Sequence, residues 1–159
     1  MGKAIAKKKT RAAEAEKNTG FKEKEVSFRS EDGWRLRGMM SRPKPTSRSA
    51  PAVVFLHSYE HDRDVFGYYI YPGLAEIVAA RGVATLRFDL RGRGQSMGSK
   101  ELHSFSGEEM SRLYLDVRGA LSFLEKQRGV DGSRVAIVAE QQSAEAAVMA
   151  WSGDSRVSA

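Results

Sequence analysis

The 159-residue chain contains no cysteine. That excludes a disulfide framework and any thiolate metal site. It has no run of about 18 apolar residues, which excludes a transmembrane helix. Its positively charged start lacks the apolar stretch of a cleavable secretory signal, so a cytoplasmic protein without membrane partners is expected. Histidine is scarce, and the three present, His57, His61 and His103, all precede residue 104. What remains is 41% hydrophobic with mixed charge, the composition of a folded domain and not of a disordered chain. The length allows one domain with a sizeable core.

The net charge of +6 is unevenly placed. Residues 1–24 hold eight Lys/Arg against three Glu and so account for nearly all of it. Lys7-Lys8-Lys9-Thr10-Arg11 could contact nucleic acid or an anionic surface. No aromatic residue is interleaved for base stacking, so a solvated basic arm over residues 1–22 is the expectation, and nucleic acid is not the expected partner. Residues 23–159 form the expected domain.

From Glu23 the pattern becomes regular. Glu25–Arg29 and Trp34–Met39 alternate like strands, joined by the turn Glu31-Asp32-Gly33. An exposed loop is predicted over Arg42–Pro51. Ala52–Leu56 is a continuous apolar run, as in a strand covered on both faces. A polar stretch, His57–Asp64, follows. A helix is predicted within Tyr69–Ala80 with Leu74, Ile77 and Val78 as apolar positions, ended by Gly82. Next come a strand over Val83–Phe88 and the loop Asp89–Ser96. One long helix is predicted from Ser106 to Gln127, with Met110, Leu113, Val117, Leu121 and Leu124 on its apolar face. A turn at Val130–Ser133, a buried strand Arg134–Val138 and a helix Ala144–Trp151 complete the reading. Strands alternating with helices predict an α/β fold, a mostly parallel sheet with helices on both faces.

Four segments in this order resemble the first half of an α/β-hydrolase domain, of the dienelactone-hydrolase-like and esterase-like kind. Ala52–His57 resembles the strand that ends in the family's His-Gly oxyanion loop. Gly82–Ser96, with Asp89-Leu90-Arg91-Gly92-Arg93-Gly94-Gln95-Ser96, resembles its Asp-x-Arg-Gly-x-Gly-x-Ser loop. Asp116–Leu124 resembles the helix before the nucleophile elbow, and Asp131–Val138 the elbow strand. The resemblance implies an oxyanion loop at His57, Ser58 and Tyr59, with His57 supporting the loop. It also implies charge-assisted hydrogen bonds from Asp89 and Arg91 that shape theirs.

The family's chemistry needs a nucleophile on a strained strand-to-helix turn, usually Gly-x-Ser-x-Gly, and then an acid and a histidine later in the chain. Here the elbow positions read Ala139, Glu140, Gln141, Gln142 and Ser143. Gln141 stands at the nucleophile position, and an amide cannot serve. Sliding the frame to Ser143 pushes that serine into the helix. No histidine follows the elbow. The expectation is a protein that by itself lacks the triad, a binding or scaffold module with an ester-like small-molecule ligand. The alternative is an esterase or dienelactone-hydrolase-like enzyme whose acid and histidine lie in a C-terminal part not present. A domain halted here leaves the last strand as an apolar edge. A fragment of a longer product is the favoured explanation. Otherwise a second copy or a partner chain would cover the edge. No cofactor or metal is expected. His57-x-x-x-His61 with Asp62 and Asp64 has ligand spacing only on a helix and reads as a loop, while Gly92-x-Gly94 lacks dinucleotide-site spacing.

Overall fold

A computed structural model describes residues 20–44, 48–67, 73–152 and 154–157. The sequence opens a hairpin of β1 (Phe21–Arg29) and β2 (Arg35–Pro43). Its turn is held by Ser30, whose hydroxyl donates to Asp32 and accepts from the Trp34 N–H. β3 (Ala50–Leu56), β4 (Ala84–Phe88) and β5 (Val130–Ala139) join it in one five-stranded sheet of order β1-β2-β4-β3-β5. The hairpin strands and the β2–β4 pair are antiparallel, while β4, β3 and β5 run parallel. This is the α/β-hydrolase arrangement that the resemblance implied.

The helices are α1 (Leu74–Ala80), α2 (Gly107–Ser111), α3 (Tyr114–Glu125) and α4 (Ser143–Trp151). Alternation along the strands divides the apolar side chains between two faces. Leu36, Met40, Val54, Leu56, Leu86 and Phe88 form the main core with Val117, Leu121 and Leu124 of α3 and Ala146 and Ala150 of α4. On the other face Phe55 packs with Val65, Phe66 and Ala75. Arg87 also leaves β4 on that side, where its guanidinium pairs with Glu23 and Glu76.

Several boundaries differ from the sequence expectation. β1 begins at Phe21, inside the span expected as a basic arm; residues 1–19, and with them the rest of that arm, lie outside the described residues. β2 runs on through Arg42 and Pro43, shortening the predicted loop. The helix within Tyr69–Ala80 begins at Leu74 and buries Ala75 and Ala79, while Ile77 faces outward. Small residues let the helix lie close to the sheet, a choice that apolar periodicity alone does not reveal. The long helix is two helices. Between them the bonds run three residues back, from Arg112 to Glu109, Leu113 to Met110 and Asp116 to Leu113, tightening the turn. β5 starts at Val130, and the predicted turn is an irregularity inside it. The ladder steps from Ala50–Val130 to Ala52–Val135, while Asp131 caps the Ser133 N–H. β5 is also an edge strand, only Val130 and Val135 being buried.

Candidate functional site

β3 is the branch point of the sheet. The chain leaves it to form β4 on one side and returns as β5 on the other. In open α/β sheets ligands bind outside the carboxyl ends of strands at such a reversal. Leu56 of β3 lies opposite Ala139 of β5, so the segments after them, His57–His61 and Glu140–Gln142, emerge side by side.

Gln141 has φ +50°, the one positive φ of a non-glycine residue among the described residues. A side chain adopts this conformation only when its surroundings impose it, and here a strand turns at once into a helix. Gln141 is exposed at the apex of that turn. Ser143 is the first residue of α4 and is fully buried. Its hydroxyl donates to the Glu140 carbonyl (2.8 Å), with the Leu56 carbonyl 3.1 Å away.

The polar stretch after β3 is not a surface loop throughout, since His57 and Ser58 are fully buried. His57 Nδ1–H donates to the Ser58 carbonyl (2.6 Å), and Nε2 accepts from the Leu90 N–H (3.0 Å). Both ring nitrogens are thereby occupied, and the imidazole ties this loop to the one after β4. Burial pulls its pKa down to about 4, so it stays neutral. The Ser58 N–H donates to Glu140 Oε2 (2.9 Å). Among the described residues the N–H groups of Tyr59 and Gln142 have no acceptor, and neither do those of Glu60 and Gln141. Two N–H groups flanking an elbow are what a developing oxyanion needs.

The residues that sequence reasoning did not connect are Glu140 and His61. Glu140 is buried, and its carboxylate lies 3.0 and 3.2 Å from His61 Nδ1. Ser58 Oγ is 3.0 Å from the same nitrogen. Burial pushes the Glu140 carboxyl up, but the bonds from His61 and the Ser58 N–H outweigh it and hold the group below the usual range. Seventy-nine positions separate the two residues, so no local motif joins them.

Asp89 and Arg91 shape the neighbouring loop. Asp89 accepts from the N–H groups of Arg63 and Gln95, both at 2.9 Å. Gly94 (φ +46°) makes room for it, because a Cβ there would lie 2.5 Å from the Asp89 carboxyl carbon. Arg91 donates to Asp116 and, through two nitrogens, to Asp32 in the hairpin turn. That guanidinium holds the Asp32 carboxyl down at about 2. Among the described residues no group of three or more His, Cys, Asp or Glu is placed to hold a metal, and no helix is long and apolar enough to cross a membrane.

A family model described as X-Pro dipeptidyl-peptidase (S15 family) matches residues 32–114. The match takes in the His57 loop and the Asp89–Ser96 loop and ends before the elbow. A thiohydrolase, aneE, of Aspergillus aculeatus is 29% identical over 133 residues, covering 84% of this chain and 38% of that protein. The acetyl xylan esterase of Paenibacillus sp. R4 superposes with a TM-score of 0.67 at 26% identity, over 87% of this chain and 47% of the esterase. The Pyrococcus furiosus esterase Pf2001 does so with a TM-score of 0.63 at 20% identity, over 89% and 50%, a likeness of fold. The chain therefore spans half or less of the length of these relatives.

Proposed function

This chain belongs to the X-Pro dipeptidyl-peptidase (S15) family of α/β-hydrolase-fold proteins, and from that premise we propose that it acts without a covalent acyl intermediate. On this reading it holds a small ester-like ligand by its carbonyl oxygen at the elbow. The observation that carries the reading is Gln141 at φ +50°, the strained apex that an elbow nucleophile would need. An amide there offers no hydroxyl or thiol for a base to activate and so no route to an acyl-enzyme. Ser143 supports the reading from the other side, since its hydroxyl is buried and spent on backbone carbonyls. The N–H groups of Tyr59 and Gln142 supply the carbonyl contact.

The test is labelling with a fluorophosphonate probe, followed by intact mass, together with a search for a burst of p-nitrophenol from p-nitrophenyl acetate. No adduct and no burst are expected. A stoichiometric adduct at Ser143 would overturn the reading. A second reading, an esterase completed by an acid and a histidine outside this chain, draws support from the greater length of the relatives. It requires a nucleophile activated by that histidine and so predicts the adduct in a protein that also carries those residues.

A further inference from the structure

Of the three histidines, His57 has both ring nitrogens occupied inside the protein. His103 pairs with Glu101 at 3.0 Å, but both side chains are more than half exposed, a pairing that water screens. His61 differs from both. Its partner Glu140 is buried, and the His61 side chain itself is 34% exposed. A carboxylate only accepts, so the proton between the two sits on Nδ1 and the lone pair on Nε2. Among the described residues Nε2 has no partner. The surroundings hold this arrangement in place. The Ser58 N–H pins Glu140 Oε2. Arg93 donates to the carbonyls of Glu60 (2.8 Å) and His61 (3.1 Å), fixing the backbone that carries the ring.

A base with a free lone pair, oriented through its other nitrogen by a carboxylate, is the proton-accepting part of a hydrolytic site. Here the carboxylate is the residue immediately before the elbow apex. We infer that His61, positioned by Glu140, is a general base for water attacking an activated ester or thioester held at the elbow. This rests on the reading that Gln141 is no nucleophile, because only then is water the attacking group. In the step proposed, a water oxygen bonds to the acyl carbon while its proton passes to His61 Nε2. The Tyr59 and Gln142 N–H groups take the carbonyl oxygen as it becomes negative. The tetrahedral species then breaks its bond to the leaving group, which departs as a phenolate or thiolate. The imidazolium returns its proton to solvent. A phenolate or thiolate leaves without needing a proton, so activated acyl compounds are the substrates for which this step suffices.

The experiment measures steady-state hydrolysis of p-nitrophenyl acetate by the full chain, above the buffer rate, for the wild type, His61→Gln and His103→Gln. Hydrolysis is expected in the wild type and in His103→Gln, with a fall of roughly tenfold or more in His61→Gln. Intact mass during turnover should show no acetyl adduct. Equal rates in all three proteins, or no wild-type hydrolysis, would overturn the inference. An acetyl group on His61 would also overturn it, by making the ring a nucleophile. An adduct on Ser143 would instead sink the reading of the elbow. Should His61→Gln fail to fold, nitrogen-15 spectra of the wild type decide. The Nδ1–H tautomer of His61 is expected at neutral pH, reverting toward Nε2–H in Glu140→Ala, and an Nε2–H tautomer in the wild type rejects the proposal.

Discussion

At the scale of single residues, buried polar groups determine how the loops stand. His57 is neutral in the fold because burial brings its pKa to about 4, below the ordinary value of about 6.5. Between those two values the unfolded chain binds a proton that the folded chain refuses. Stability is therefore full above the unfolded pKa and is lost as pH falls toward the folded one, by up to about 3 kcal/mol. His57→Gln keeps an acceptor for the Leu90 N–H and removes the titration. The difference in unfolding free energy between the two proteins should shift in the variant's favour from pH 6.5 to 4, measured by urea titration. A constant difference would show that His57 is not held neutral. The loop beginning at Asp89 is likewise held by buried contacts, with Gly94 supplying space for a carboxylate that caps two backbone N–H groups.

At the scale of elements, the apolar face over residues 106–127 was legible but its interruption was not. Leu113, Val117, Leu121 and Leu124 are all buried, as their spacing implies. The tightened bonds at Arg112–Asp116 separate two helices, and Asp116 in the first turn of α3 accepts from Arg91, a partner 25 positions away. α2 then has only five residues, too few to persist alone. It depends on a capping box in which Ser106 accepts from the Glu109 N–H and Glu109 accepts from the Ser106 N–H. Ser106→Ala should cost about 1 kcal/mol, read as a lowered melting temperature. It should also speed amide exchange at Glu108–Met110, while α3 stays protected. Equal acceleration in α3 would mean that the two helices behave as one unit. β5 shows the converse case. Its apolar run reads as a buried strand left as an apolar edge where the domain halts, and β5 stands at the edge of the sheet with Val138 exposed.

At the scale of the whole molecule, that edge is the most conspicuous surface. Val138 on β5 is 42% exposed, and Val148 and Trp151 on α4 are 58% and 51% exposed. Val157 makes one parallel bridge to Val135 beside them, which covers little of the strand. Neighbouring exposed apolar side chains promote association. The wild type is expected to self-associate at high concentration, and the double variant Val148→Glu, Trp151→Glu to stay monodisperse by light scattering under the same conditions. Its stability should lie within about 0.5 kcal/mol of wild type for each change, as for surface positions generally. Equal scattering would place the association elsewhere. Two cavities lie away from the elbow, one lined by Val26, Met40 and Phe123 and the other by Val148, Trp151 and Val157. The candidate site is defined by strand ends and backbone N–H groups.

The sequence by itself determined the fold class, because alternation in the hairpin and the three apolar runs are local patterns that the backbone must satisfy wherever they sit. It also determined that Gln141 and not serine occupies the elbow, since that is a matter of residue identity at a fixed spacing. Only the tertiary structure decided which groups meet. It brought Glu140 to His61 across 79 positions, gave the Ser58 N–H to Glu140 and left those of Tyr59 and Gln142 without acceptors among the described residues. These outcomes depend on strand order and on the direction each loop takes from the sheet. Both are set by packing between segments far apart in the chain, and no window of neighbouring residues encodes them.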